Sequence, residues 1–385
     1  MRAILILLAM LGTAPLTAQA GDPRAWQHGL DILEIGPNRF LAIWSSDGIP
    51  PKAAPDGAEW RHDVYYSWLD GADPHLAPRV LIAAPLAQEP ASSAIAANGN
   101  ILVTMEDAFD APQVLKQSFA VFDRRLRPLR PYPQVAMQGG HSGHAAAAGK
   151  RFAVAFSEGW VDGGGVNNLG TGDDVWLSVL GANGRVQARQ PVAVGPATRD
   201  GWPLVAGSPG RFLVLWQRFV PGSRGARLLF RLFDAARGGP VGAERQILRD
   251  VAYYTYDVQY LPGPDAFLVL GRSRAAGGVA MLISPAGRIL AQKSGLPPIM
   301  REAQPATRRL GAGTAQVVYP TGRRGLAVLR VSRDAIAHQA SLKARQSWGT
   351  TGTDGVFTAD GGLFFATLTR RGIRGSRVAP GALRP

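Results

Sequence analysis

The chain has 385 residues, 46% of them hydrophobic, with 42 Lys and Arg against 28 Asp and Glu, for a formal net charge of +14. It has no cysteine, which excludes a disulfide scaffold and leaves a hydrophobic core to hold the fold. The surplus of basic residues favours anionic partners, but no run of Lys or Arg exceeds two residues, so a nucleic-acid-binding arm is not expected.

Residues 1–20 pair Arg2 with the apolar run Ala3 to Leu11 and end in Ala18-Gln19-Ala20, the pattern of an export signal cleaved before Gly21. The run is too short to span a bilayer, which takes about 20 apolar residues. The expected organisation is a signal peptide over 1–20 and a single domain over 21–385, periplasmic or secreted, without a transmembrane segment and monomeric.

From Arg39 onward one apolar phrase recurs seven times, anchored at Phe40, Ile101, Phe152, Phe212, Phe267, Ala315 and Leu363, with steps of 61, 51, 60, 55, 48 and 48 residues. These steps lie near the period of a four-stranded propeller blade. Runs such as Phe212 to Leu215 are apolar at every position, as in a strand covered on both faces. In the third unit the spacing predicts strands over His144 to Ala148, Arg151 to Ser157, Asp174 to Leu180 and Val186 to Val194. Asn183-Gly184 between the last two suggests a type I′ turn. The last unit supplies only three strands, Gly355 to Thr358, Leu363 to Thr367 and Ile373 to Val378. The segment Asp22 to His28 is therefore expected to pair beside them and close the ring, removing an exposed edge. The fold class is all-β, a seven-bladed β-propeller of four-stranded antiparallel blades closed by its N- and C-terminal segments.

These repeats resemble those of secreted bacterial propellers of the broad sialidase-like group. The resemblance covers nearly the whole chain after residue 20 and implies the fold. The Ser-x-Asp-x-Gly-x-Thr-Trp box of that group is not completed by Ser46-Asp47-Gly48, so no residue role is carried over.

In a propeller, the connections between blades and those joining strands 2 and 3 share one face, and here they hold the residues with chemistry. Arg61, Arg199, Arg272, Arg301 and Arg323 come from different units and would ring one opening with guanidinium groups, which suit carboxylates and sulfates. The alternative is that they tie blades together through Asp200, Asp257 and Glu302. Trp160, Trp202, Tyr253, Tyr254 and Tyr256 offer flat faces for sugar rings, with His62 and Asp200 beside them. His141 and His144 flank a Ser-Gly pair and could present two imidazoles to one zinc ion, with His62 or Asp162 as third ligand. Equally, one of them could serve with Tyr254 as base and acid in β-elimination from a uronate, as in some propeller-fold polysaccharide lyases; each could also be a histidine hydrogen-bonded at a blade junction. Asp162, Asn167, Asn168, Asp173 and Asp174 offer oxygens to calcium without the alternating spacing of a calcium loop. No cofactor is otherwise called for.

Three functions follow from these residues. The first is an exported propeller that binds an anionic glycan or another envelope polyanion in an Arg- and aromatic-lined funnel. The second is a polysaccharide lyase or glycoside hydrolase using His141, His144, Tyr254 or Asp162 in the same funnel. The third is a scaffold that docks an envelope protein.

Overall fold

The computed structural model describes residues 23–52, 61–70, 76–107, 115–159, 174–195 and 198–383. Among them there are two short 3-10 segments and no α-helix, and no helix long and apolar enough to cross a membrane.

Twenty-six strands form six antiparallel sheets. The first holds β1 (Gln27–Gly36), β2 (Arg39–Ser46), β3 (Asp63–Asp70) and β4 (Arg79–Ile82), and the second β5 (Gln88–Ile95), β6 (Ile101–Asp107), β7 (Lys116–Phe122) and β8 (Gln134–Gln138). The third holds β9 (Gly140–Ala148), β10 (Arg151–Glu158), β11 (Asp174–Gly181) and β12 (Val186–Ala193). The fourth has seven strands, β13 (Asp200–Gly207), β14 (Arg211–Phe219), β15 (Ala226–Asp234), β16 (Pro240–Leu261), β17 (Ala266–Ser273), β18 (Gly277–Ile283) and β19 (Ile289–Leu296). The fifth holds β20 (Ala306–Gly311), β21 (Thr314–Thr321), β22 (Gly325–Ser332) and β23 (Ala335–Lys343), and the sixth β24 (Thr353–Phe357), β25 (Leu363–Thr369) and β26 (Gly372–Val378).

The count of six departs from the seven units read in the sequence, and β16 is the reason. Its 22 residues run without a break. The first half pairs with β15, from Phe233↔Pro240 to Ala226↔Val251, and the second with β17, from Tyr256↔Gly271 to Leu261↔Ala266. One strand thus serves as the last of one unit and the first of the next.

Two further expectations are corrected. Pro23–Ala25 forms a 3-10 turn and Gln27 and His28 pair with β2, so the N-terminal segment adds no strand to the last sheet, which stays three-stranded among the described residues. At Asn183-Gly184 only Gly184 has positive φ, at 79°, so the turn is not type I′. The Asn183 side chain instead accepts from the Arg185 amide at 3.1 Å, and the Gly184 amide bonds the Gly181 carbonyl at 2.9 Å.

The second strand of each unit is largely buried. Phe212, Leu213, Val214, Leu215 and Trp216 are all fully enclosed, because successive sheets pack on both of their faces. Apolar clusters join each sheet to its neighbour, and one joins the last sheet to the first through Phe364, Ala366 and Leu368 against Leu30, Phe40 and Trp44. The first strands β1, β5, β9, β13, the second half of β16 and the residues at the starts of β20 and β24 all line one cavity of about 320 Å3.

Close approach of these first strands leaves no room for side chains at certain points. A Cβ on Gly207 of β13 would fall against the Ala147 carbonyl of β9, well inside van der Waals contact. Gly207→Ala is therefore expected to cost about 1–3 kcal/mol, the usual range for overpacking. A lower urea midpoint with unchanged m-value would report it.

Candidate functional site

At one mouth of the cavity, four non-glycine residues lie in the left-handed region: Ser142 (φ 53°), Trp202 (52°), Tyr254 (59°) and Glu302 (51°). Each interrupts a first strand or sits just ahead of one, and Gly29 (73°) does the same in β1. A bulky residue in this region costs on the order of 1–3 kcal/mol and is held only where its surroundings fix it. The fixing groups are visible. The Ser142 amide donates to Glu106 Oε1 at 2.6 Å, the Trp202 amide to Ser157 Oγ at 3.1 Å and the Tyr254 amide to Gln217 Oε1 at 3.3 Å. Glu106, Ser157 and Gln217 occupy the ends of β6, β10 and β14, the second strand of the preceding unit in each case. Past Tyr254 the pattern passes to the backbone: the Glu302 amide bonds the Tyr254 carbonyl at 3.2 Å, and the Gly29 amide the Thr351 carbonyl at 2.9 Å.

These bulges gather an aromatic and charged cluster. The Trp202 indole meets the His144 ring edge-on at 5.4 Å, the Tyr254 ring edge-on at 4.9 Å, and stacks with His28 at 6.2 Å. The Arg301 guanidinium lies 4.9 Å over Tyr254, and its Nε donates to Glu302 Oε1 at 2.9 Å. Tyr253 packs against Tyr254 and Phe219, and Arg199 lies 5.2 Å over Phe219.

His28, in β1, is clamped between two carboxylates. Its Nδ1 lies 2.8 Å from Glu89 and its Nε2 3.3 Å from Glu302. Burial alone would lower its pKa, but Glu89 and Glu302 outweigh burial and raise it to about 9. Glu302 is held below the usual carboxylate range, because His28 and Arg301 outweigh its own burial. His144, by contrast, is pushed down to about 4, chiefly by burial, so its imidazole is neutral at physiological pH. Deeper in the cavity lie Asp31, Asp257 and Asp354, all raised by burial; Asp257 reaches about 7. Asp31 accepts from Ser92 Oγ at 3.1 Å and from the Gln304 side chain.

The sequence-derived candidates divide accordingly. His144, Trp202, Tyr254, Arg301 and, beside them, Tyr253 and Arg199 converge at this mouth. Tyr256 lines the cavity but is buried, its hydroxyl donating to the Trp202 carbonyl at 2.6 Å. His141 is buried, with Nδ1 3.0 Å from Ser142 Oγ. Asp200 is fully enclosed and holds the Trp216 indole and Arg218, both at 2.7 Å, so it supports the second strand and is no funnel ligand. His62 is likewise fully enclosed, its pKa lowered by burial.

Arg61, Arg272 and Arg323 are exposed and line no described cavity. They sit at or beside second and third strands, whereas the cavity is walled by first strands, and the expected ring of five guanidinium groups does not form around it. Of the expected ties, Arg301 pairs with Glu302, and Asp200 pairs with Arg218. Asp257 accepts instead from Gln259 at 3.1 Å, inside the cavity. Trp160 and Asp162, with most of the glycine-rich insertion, lie outside the described residues. Among the described residues no three His, Cys, Asp or Glu side chains converge as metal ligands, so the zinc arrangement read from His141 and His144 has no third partner there. His28 and Glu89 were not singled out in the sequence, and neither stands in a motif that would have marked it.

No protein-family profile matches the chain, and no curated protein matches it in sequence. Solved structures do. A polysaccharide lyase of family PL25, an ulvan lyase, is 11% identical with a TM-score of 0.51, over 92% of this chain and 95% of that one. BBS1N, from its complex with ARL6DN, is 10% identical with a TM-score of 0.52, over 92% of both chains. The NanB sialidase of Streptococcus pneumoniae is 9% identical with a TM-score of 0.47, over 94% of this chain and 69% of that one. At these identities the likeness to the lyase and to BBS1N concerns fold alone.

The two histidines predict opposite responses to pH. His28 gains its carboxylate partners on folding, so its contribution is full below about pH 6.5 and fades as the pH rises through about 9. His144 is kept neutral, so stability falls as the pH drops from about 6.5 towards 4. Thermal midpoints against pH are expected to lose the alkaline decline in His28→Gln and to flatten on the acid side in His144→Gln.

Proposed function

We propose that the chain is an exported, monomeric, seven-bladed propeller forming one domain, which binds an acidic glycan at the mouth walled by Trp202, Tyr254, His144 and Arg301. Counting the two halves of β16 separately gives seven units. The apolar cluster between the last and first sheets supports a closed ring without a shared strand.

The observation that carries the binding reading is the Trp202 platform. An indole held in a strained backbone state, with Arg301 stacked over the adjoining Tyr254, sets a flat apolar face beside a cation. A sugar ring can lie on the first while its carboxylate or sulfate meets the second. Strain retained at four positions around one mouth, three of them strand bulges, is the kind found where a ligand is clamped.

A second reading, β-elimination from a uronate, is favoured by the neutral His144. His144 would take the C5 proton, the C4–O bond would break as the C4–C5 double bond forms, and Tyr254 would protonate the leaving oxygen. The ulvan lyase shares the fold, which supports glycan chemistry on this scaffold. Trp202 stands between His144 and Tyr254, touching both edge-on, and that placement favours the platform over an acid and base pair.

Titration of acidic and neutral polysaccharides into the purified protein tests both readings. Trp202→Ala with Arg301→Ala, in a variant whose folded state is verified by circular dichroism, is expected to weaken acidic-glycan binding at least about tenfold, or about 1.4 kcal/mol. Unchanged affinity refutes the binding reading. Shortened polymer with the ultraviolet absorbance of an unsaturated uronate, lost in His144→Ala, would establish the lyase instead.

A further inference from the structure

A second cavity of about 480 Å3 opens beside the central mouth, and nothing in the cluster above uses it. Its walls carry Arg324 from the β21–β22 turn, Arg345 from the β23–β24 connection, and Arg370 and Arg374 from the β25–β26 turn and the start of β26. No Asp or Glu is among its described lining residues. Arg324, Arg345 and Arg374 are exposed and have no ion pair among the described residues, Arg324 donating only to the Arg345 carbonyl at 2.9 Å. The three exposed guanidinium groups of Arg324, Arg345 and Arg374, around one groove with no Asp or Glu among its described lining residues, repel each other and are neutralised best by an anion.

The groove is built rather than incidental. The Trp348 indole is buried, donates to the Gly325 carbonyl at 2.8 Å and packs on Phe365 at 5.4 Å, giving a rigid floor. The Arg370 guanidinium lies 4.5 Å over the Trp26 ring. The Gly349 amide is tied to Thr367 Oγ1 at 2.6 Å. Thr351 lines this groove and the central cavity alike, so the two adjoin on the same face.

The geometry points to a second, cationic subsite that engages further acidic residues of the same polysaccharide chain whose one sugar occupies the Trp202 platform. This rests on the binding reading above and extends it. The ligand is then a polymer with carboxylates or sulfates recurring along its length, and an isolated acidic sugar is insufficient.

The test uses the whole protein with end-labelled polygalacturonate in short and long fractions, read by fluorescence anisotropy over a range of salt. Wild-type affinity is expected to rise with chain length. Arg345→Ala/Arg374→Ala, two exposed positions outside the central cluster, is expected to bind the long fraction at least tenfold more weakly and with a flatter salt dependence, while binding the short fraction as wild type does. Equal affinity of this variant and wild type for the long fraction overturns the subsite. Loss in the groove variant with no loss in Trp202→Ala upholds the groove and overturns the central reading. No binding of either fraction by wild type overturns both.

Discussion

The arrangement at the mouth depends on the capture of one backbone amide per bulge by a side chain from the unit before. Where a first strand turns out of its ladder, the freed N–H is buried, and leaving it unsatisfied would cost about 1–3 kcal/mol. Glu106, Ser157 and Gln217 answer that cost at equivalent places for Ser142, Trp202 and Tyr254. Each of these three units thus fixes the strained residue of its successor. The rings of Trp202 and Tyr254 are positioned by the neighbouring sheet as much as by their own.

Electrostatics reinforces this order. A protonated imidazole between Glu89 and Glu302 links β1, β5 and the segment ahead of β20, three parts of the chain far apart in sequence. Removing one partner would leave the others buried and uncompensated, a heavier loss than the pair itself is worth. Glu302 also holds Arg301, so the cation beside the platform inherits its position from the same network. His144, whose ring also meets Trp202, is kept neutral chiefly by burial, which outweighs the pull of Glu302 and of its backbone partners.

Much of the scaffold was legible because local pattern and tertiary role agree in it. The apolar runs of β10 and β14 and the limits of β10 to β12 follow from residues that pack where their own periodicity puts them, whereas β9 begins at Gly140, four residues before the expected His144. The site was legible only in part. Trp202, Tyr254, His144 and Arg301 were marked by residue type on one face, but their bulges arise from acceptors in other sheets, which no local pattern encodes. Asp200 was misread because an acidic residue beside Arg199 looks the same in sequence whether it faces a ligand or anchors Trp216. His28 was passed over because its significance lies wholly in Glu89 and Glu302, 61 and 274 residues away. The fusion of two units through β16 escaped the repeat analysis, since a period does not reveal whether the chain bends between copies.

That uninterrupted strand has a mechanical consequence. Among the described residues the other junctions leave the ladder between units, whereas β16 carries pairing from one unit into the next, and its ladder with β17 shifts register between Val251 and Tyr256. Tyr253 and Tyr254 sit at that irregularity. Any flexing of the scaffold about this junction is transmitted as torsion directly into the aromatic wall of the mouth, because no break in the strand separates the two. The aromatic wall of Tyr253 and Tyr254 is therefore carried on a strand that two units share.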